Sequence, residues 1–293
     1  MKKFIKLLIL GLFTTTLLTG CFKRDSLEGV KIYTTVYPIE YLTETLYGNN
    51  SKVYSIYPNG VNVNEYKLTK KQINNYSKAG IFIYNGLSNE KNIAKEFINA
   101  NHKIKIIDVS YGLKYENGVE ELWMSPNNYL MLATTIKNNL EDYISSKYII
   151  DEIENNYKPL QEEVSKMDAE LRAIASSAKD KDQHTIVASN NMFKYLNNYG
   201  FNVLSLEDKE TISENNLNAI KSSFKSKKYK YIIIANTDEK TDLIKDLENN
   251  YGAKTITVNT MKNLTTEDRN NNLTYLTFMK EYIENIRTIT LGK

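Results

Sequence analysis

The sequence predicts an α/β protein of two lobes, each a parallel sheet flanked by helices, with one long helix joining them. Three observations carry that expectation. Strand-like runs alternate with helical patterns in both halves, the sequence mark of β-α-β units and a parallel sheet. Some of these runs are apolar without alternation, as in Ala79-Gly80-Ile81-Phe82-Ile83-Tyr84, so both sheet faces are expected to be covered. Between the halves, Ile149, Ile153, Tyr157, Leu160, Val164, Met167, Leu171 and Ile174 form one apolar stripe at steps of three and four residues. An isolated stripe of this kind also fits a coiled coil; between two α/β halves it reads as a rigid link.

In the first half, strands are expected at 31–36, 53–57, 79–84 and 103–109. Helical patterns lie between them, carrying Ile39, Leu42 and Leu46, then starting near Thr69, then carrying Ile93 and Phe97. In the second half, strands are expected at 185–188, 203–206, 229–234 and 255–258, followed by a closing helix over about 267–288. Pro159 lies inside the linking stripe and should kink or break the helix there, because proline removes a backbone donor and crowds the preceding turn. The organisation is therefore a leader at 1–20, a spacer at 21–29, a first lobe at 30–146, a linking helix at 147–180 and a second lobe at 181–293.

The leader reads as an export signal. Lys2, Lys3 and Lys6 precede a mostly apolar stretch at 7–18 that is too short to span a membrane. It ends in Leu18-Thr19-Gly20-Cys21, which looks like a lipoprotein cleavage site with Cys21 as the lipidated first residue. A diacylated cysteine supplies the two chains that stable anchoring takes. Cys21 is the only cysteine, so neither an internal disulfide nor a cysteine metal site is available. Removing residues 1–20 takes away three lysines and no acid, leaving 35 basic against 35 acidic residues. A neutral mature chain gives no basic footprint for nucleic acid. The 22 tyrosines fit a sugar or nucleoside cleft, but with so much Asn, Lys and Ile alongside, coding bias is the simpler account.

Four short segments stand out: PNGVNVNEYKLT (58–69), VEELWMSP (119–126), ASNNMFKYL (188–196) and TITVNTM (255–261). Their order, spacing and framing residues resemble the four metal-ligand loops of the zinc/manganese-binding lipoproteins that feed ABC importers. The resemblance covers nearly the whole mature chain. It implies a periplasmic-binding-protein-like fold with ligand held between two lobes, a linking backbone helix, an ABC permease as membrane partner, and a lipid-anchored place on the outer face of the cell membrane. It also implies histidines at the positions of Asn64, Glu121 and Asn190 and a carboxylate at Asn259. The frames are kept and the ligand types are not. An acid common after the strand ending at Ile234 is replaced by Ala235 or Asn236.

This replacement changes the chemistry. Zinc and manganese sites of this kind draw on imidazole nitrogens and carboxylate charge, whereas an amide oxygen is a neutral, weak donor. No tight transition-metal cofactor is expected, and Glu121 is the one weak metal candidate. A weak divalent-cation site from Glu65, Glu120 and Glu121 with amide carbonyls is the hard-cation alternative. Against it, Glu65 and Glu120 read as solvated loop acids. The two histidines, His102 and His184, each precede a strand and read as surface residues rather than ligands. Three amides and Glu121 would instead offer hydrogen bonds to a small polar molecule, or close the gap among themselves.

No P-loop, dinucleotide turn, His-Glu-x-x-His or nucleophile elbow is present, and the chain reads as a non-enzyme. Three functions stay open: solute capture for an ABC importer with an altered ligand, a degenerate binding protein with a host or surface protein partner, and metal binding through non-family ligands.

Overall fold

The computed structural model describes residues 27–292; the leader, Cys21 and most of the spacer lie outside the described residues. Two four-stranded parallel sheets form the frame. The first holds β1 (Lys31–Thr34), β2 (Lys52–Ser55), β3 (Ile81–Tyr84) and β4 (Lys105–Asp108) in the order β2-β1-β3-β4. The second holds β5 (Thr185–Ala188), β6 (Asn202–Ser205), β7 (Tyr231–Ala235) and β8 (Lys254–Val258) in the order β6-β5-β7-β8. The two sheets thus share one topology. Strand ends differ from the sequence expectation by one or two residues.

The helices of the first half are α1 (Tyr37–Tyr47), α2 (Lys70–Tyr76), α3 (Glu90–Ala100), α4 (Glu121–Met124) and α5 (Pro126–Tyr143). At the start of α2, Thr69 accepts from the Gln72 amide while Gln72 accepts from Thr69, a reciprocal cap that satisfies otherwise orphaned donors. The link α6 (Lys147–Asp180) is 34 residues, about 50 Å long. Every residue of the apolar stripe is buried. Pro159 does not break it. The proline is exposed, so the backbone carbonyl that loses its partner faces water.

The second half adds α7 (Glu214–Lys225), α8 (Asp242–Tyr251), α9 (Thr266–Asn270) and α10 (Tyr275–Leu291). The expected single closing helix is therefore two. The chain turns at Asn272, whose φ of 53° is left-handed, and Thr274 restarts the helix by accepting from the Thr277 amide.

Side-chain alternation sorts the core. Ile81 and Ile83 face one way with Ile32 and Ile107, meeting the α6 stripe and, across it, Ile186, Ile233 and Val258 in one continuous apolar body. Phe82 faces the other way onto Phe97 and Ile56, while Val187, Ile232 and Ile234 cover Phe224 and Leu247. Both faces of each sheet are thus buried, as continuous apolar strands require.

Candidate functional site

Parallel sheets offer ligands a crevice beyond the carboxyl ends of their strands, at the point where strand order reverses. In the first sheet that point lies between β1 and β3; in the second, between β5 and β7. All four candidate positions fall on segments at these ends.

Asn64 sits exposed in the loop after β2, its backbone amide donating to the Asn62 side chain at 3.1 Å. That loop is tied across to the second half. The Gly60 amide donates to the Leu264 carbonyl at 2.9 Å, and Asn263 Nδ2 donates to the Pro58 carbonyl at 2.7 Å. Gly60 has φ 75°, a left-handed conformation that glycine adopts without strain.

Glu121 opens α4 and is 8% exposed, its Oε2 accepting from the Glu116 amide at 3.3 Å. Beside it, Glu120 is also buried and ion-pairs with Lys262, correcting the expectation of a solvated loop acid. Glu65 is exposed, as expected. Trp123 Nε1 donates to the Thr260 carbonyl at 2.8 Å, and the Tyr195 and Tyr275 hydroxyls donate to the Met124 and Trp123 carbonyls at 3.0 and 2.7 Å. Buried tyrosines thus clamp α4 to the second half, with hydroxyl pKa values pushed up by burial.

Asn190 caps the 3₁₀ turn Asn191–Tyr199, its Oδ1 accepting from the Met192 amide at 2.9 Å. Its Nδ2 donates to Asp238 Oδ2 at 2.5 Å, and Ser189 Oγ donates to the same oxygen at 2.8 Å. Nothing local in the sequence points to Asp238. The expected position of an acid is Ala235 or Asn236, directly after the strand, whereas the carboxylate that meets Asn190 stands two residues beyond Asn236. Asn259 Oδ1 accepts from the Met261 amide at 2.8 Å and from Asn236 Nδ2 at 3.3 Å.

The structure therefore brings Asn190 and Asn259 to one loop, through Asp238 and Asn236, and sets α4 against that end through Trp123 and Glu120. No hydrogen bond joins any two of Asn64, Glu121, Asn190 and Asn259 among those described. Two of the amides act as caps for their own loops, the local role that asparagine performs well. Among the described residues, no three His, Cys, Asp or Glu side chains gather as metal donors. His102 is exposed; His184 is half-buried, with Nδ1 enclosed and unpartnered, so it is not the simple surface residue expected. Both precede their strands, at the opposite sheet ends from these loops.

At the first switch point a cavity of about 750 Å³ opens, lined by Val36 after β1, Asn64 and Tyr66 after β2, Asn85 and Glu90 after β3, and Trp123. Glu90 is 6% exposed, and burial raises its carboxyl to about 7. In the sequence Glu90 looks like an ordinary acid in a first helical turn.

Two α/β lobes on a common apolar spine, with switch-point loops turned toward each other, define the class of two-lobed solute-binding proteins. The family model described as "ZnuA: Zinc-uptake complex component A periplasmic" matches residues 32–289. The chain belongs to this family. It is 23% identical over 296 residues to the high-affinity zinc uptake system protein ZnuA of Bacillus subtilis, covering 92% of this chain and 90% of that one. It is 25% identical over 329 residues to the zinc-binding protein AdcA of Streptococcus pyogenes, covering 99% of this chain but 62% of AdcA. The chain thus spans less than two thirds of AdcA's length. The crystal structure of the metal-dependent lipoprotein YcdH from Bacillus subtilis superposes with a TM-score of 0.74 at 21% identity, over 89% of this chain and 99% of that one. The family consists of solute-binding components of metal import, not enzymes. No described helix is long and apolar enough to cross a membrane.

Proposed function

We propose that the chain is the solute-binding component of an ABC importer of the zinc-uptake type, held by lipid at Cys21 on the outer face of the cell membrane, in which tight transition-metal binding has been lost. Its partner is then a membrane permease. The observation that carries the loss is the use of the amides: Asn190 and Asn259 spend their side-chain oxygens on Met192 and Met261 amides two residues on. Each is a neutral oxygen already engaged in its own loop. A divalent cation prefers several charged oxygens, and zinc prefers nitrogen or sulfur.

A second reading has one observation in its favour. Asp238 supplies a carboxylate beside Asn190, so with Glu121 a hard cation has two charged donors on facing segments. Melting the protein with zinc and with manganese separates the two. Ligand at 100 times its Kd stabilises by about 2.7 kcal/mol. The expected result is little or no shift in either metal, and a shift recovered by Asn64→His, Glu121→His, Asn190→His and Asn259→Asp together. A large shift in the unsubstituted protein, abolished by Glu121→Ala and by Asp238→Ala, would establish the second reading instead.

The anchor has its own test. Cys21→Ser should leave an uncleaved precursor or move the protein out of the membrane fraction on cell fractionation. A processed serine variant still held in that fraction means another attachment.

A further inference from the structure

We propose that the cavity at the first switch point binds an amino-acid-sized zwitterion, its ammonium held by Glu90 and its carboxylate facing Lys67 and Lys91. The inference rests on the solute-binding reading above and names the class of solute.

Glu90 is buried; its Oε2 accepts from the Asn85 amide at 3.0 Å, and the side chains of Thr35 and Ser88 also act on its carboxyl as hydrogen-bond partners, none of them a charge. No described basic side chain forms an ion pair with it; the charge that acts on it is Asp108, also negative. A buried carboxylate without a counter-charge is costly, and a ligand cation at this point removes that cost. The charges around it are arranged in depth. Lys262 lines the cavity but is committed to Glu120. Lys67, Lys91 and Glu96 are exposed at the mouth, with the two lysines outnumbering the acid. Acid within and net base at the rim match a molecule with an ammonium at one end and a carboxylate at the other.

The walls suit a small organic solute rather than a bare ion. Trp123, Tyr57, Tyr66 and Tyr115 contribute aromatic surface, and Asn64, Asn85 and Asn89 contribute amides that both donate and accept. Aromatic faces attract ammonium groups. The volume of about 750 Å³ is in the ordinary range of small-molecule sites. Tyr57 stands close enough to Glu90 that its hydroxyl is pushed up by burial and further by the Glu90 charge. Asn64, an amide where the family's first histidine stands, faces this cavity.

Trp123 is the only tryptophan in the chain, so its fluorescence reports the cavity directly. The full chain is titrated with each of the standard free amino acids and with simple dipeptides, then with the N-acetyl and C-terminal amide derivatives of whichever binds. A saturable change is expected with at least one free zwitterion. N-acetylation should weaken it by about tenfold or more, the worth of one charge-assisted hydrogen bond. Glu90→Gln, which keeps an acceptor for Asn85, should weaken it similarly while melting as a folded protein. Lys67→Ala with Lys91→Ala, both at exposed positions, should weaken the free amino acid several-fold and leave its amide unaffected. The proposal is overturned if no zwitterion changes Trp123 fluorescence at about millimolar concentrations, the weak end of specific binding. It is also overturned if N-acetyl derivatives bind equally well, or if Glu90→Gln binds as before. The zinc experiment stays separate: zwitterion binding beside a large zinc shift keeps this site and removes only the loss of metal. Absence of both leaves solute binding without this solute.

Discussion

The two switch points of this molecule are built on the same strand order and end up opposite in character. Between β1 and β3 the loops stand apart around a cavity of about 750 Å³ with buried Glu90 at its wall. Between β5 and β7 the corresponding loops meet, because Ser189 and Asn190 both donate to Asp238. The sheets supply the same frame of parallel strand ends; a carboxylate with two donors ties the loops together at one, and at the other a buried carboxylate with no ion pair among the described residues lines a polar space. Within one fold, the loops decide the chemistry, and a loop residue's partner decides the loop.

The largest break in this comparison should come from Trp123→Ala. The indole is 1% exposed, lines the open side, and donates to the Thr260 carbonyl on the closed side, so its loss opens a cavity and unties the two ends. A destabilisation of about 4 kcal/mol is expected by urea denaturation. A loss below about 1 kcal/mol would mean that the ends are not coupled through this residue.

Next in size is the pH dependence of Glu90→Gln. Burial raises this carboxyl from 4.5 to about 7, so the folded state holds the proton more tightly than the unfolded chain between those values. The wild type therefore loses stability relative to the glutamine variant as pH rises through that window, and the gap is constant above it. At pH 8 the solute-free variant should be the more stable by about 3 kcal/mol, falling to about zero below pH 4. Glu44, whose carboxyl burial also raises to about 7, is present in both proteins and cancels in the difference. Parallel stability curves from pH 4 to pH 8 would show that Glu90 carries no such cost.

The smallest effect is expected at the closed end. Asn259→Ala removes the acceptor for the Met261 amide, a residue held at φ 59° and fully buried. About 1 kcal/mol should be lost, the usual worth of a side-chain cap. An unchanged melting temperature would assign the turn to the backbone and to Met261 packing instead.

Much of the frame was legible because it depends on local pattern. The apolar runs at Ile81–Tyr84 and Tyr231–Ala235 admit little but a strand covered on both faces, and the stripe from Ile149 to Ile174 admits little but a helix with one buried side. The break in the closing helix was also written locally, in Asn270-Asn271-Asn272 before the capping Thr274, but the flanking apolar periodicity masked it. Glu120 was misread for a different reason. Its counter-ion, Lys262, lies far along the chain, and no local signal distinguishes a paired loop acid from a solvated one. Asp238 is not legible locally because it lies past the strand terminus, and the reach of the following turn is a property of the fold.

By itself, the sequence determined two α/β halves and the helix that joins them, and it carries the four framed loops on which the family resemblance rests. The halves and the helix follow from hydrophobic periodicity, which is carried by neighbouring residues, whereas the expected ligand positions are what the family resemblance implies. Only the tertiary structure decided that Asn190 and Asn259 spend their oxygens on their own loops, that Asp238 ties two loops together at one switch point, and that Glu90 has no ion pair among the described residues at the other. Those outcomes depend on which charges and donors meet across the fold, and the cost of burying a charge is set by those distant partners rather than by the residue that carries it.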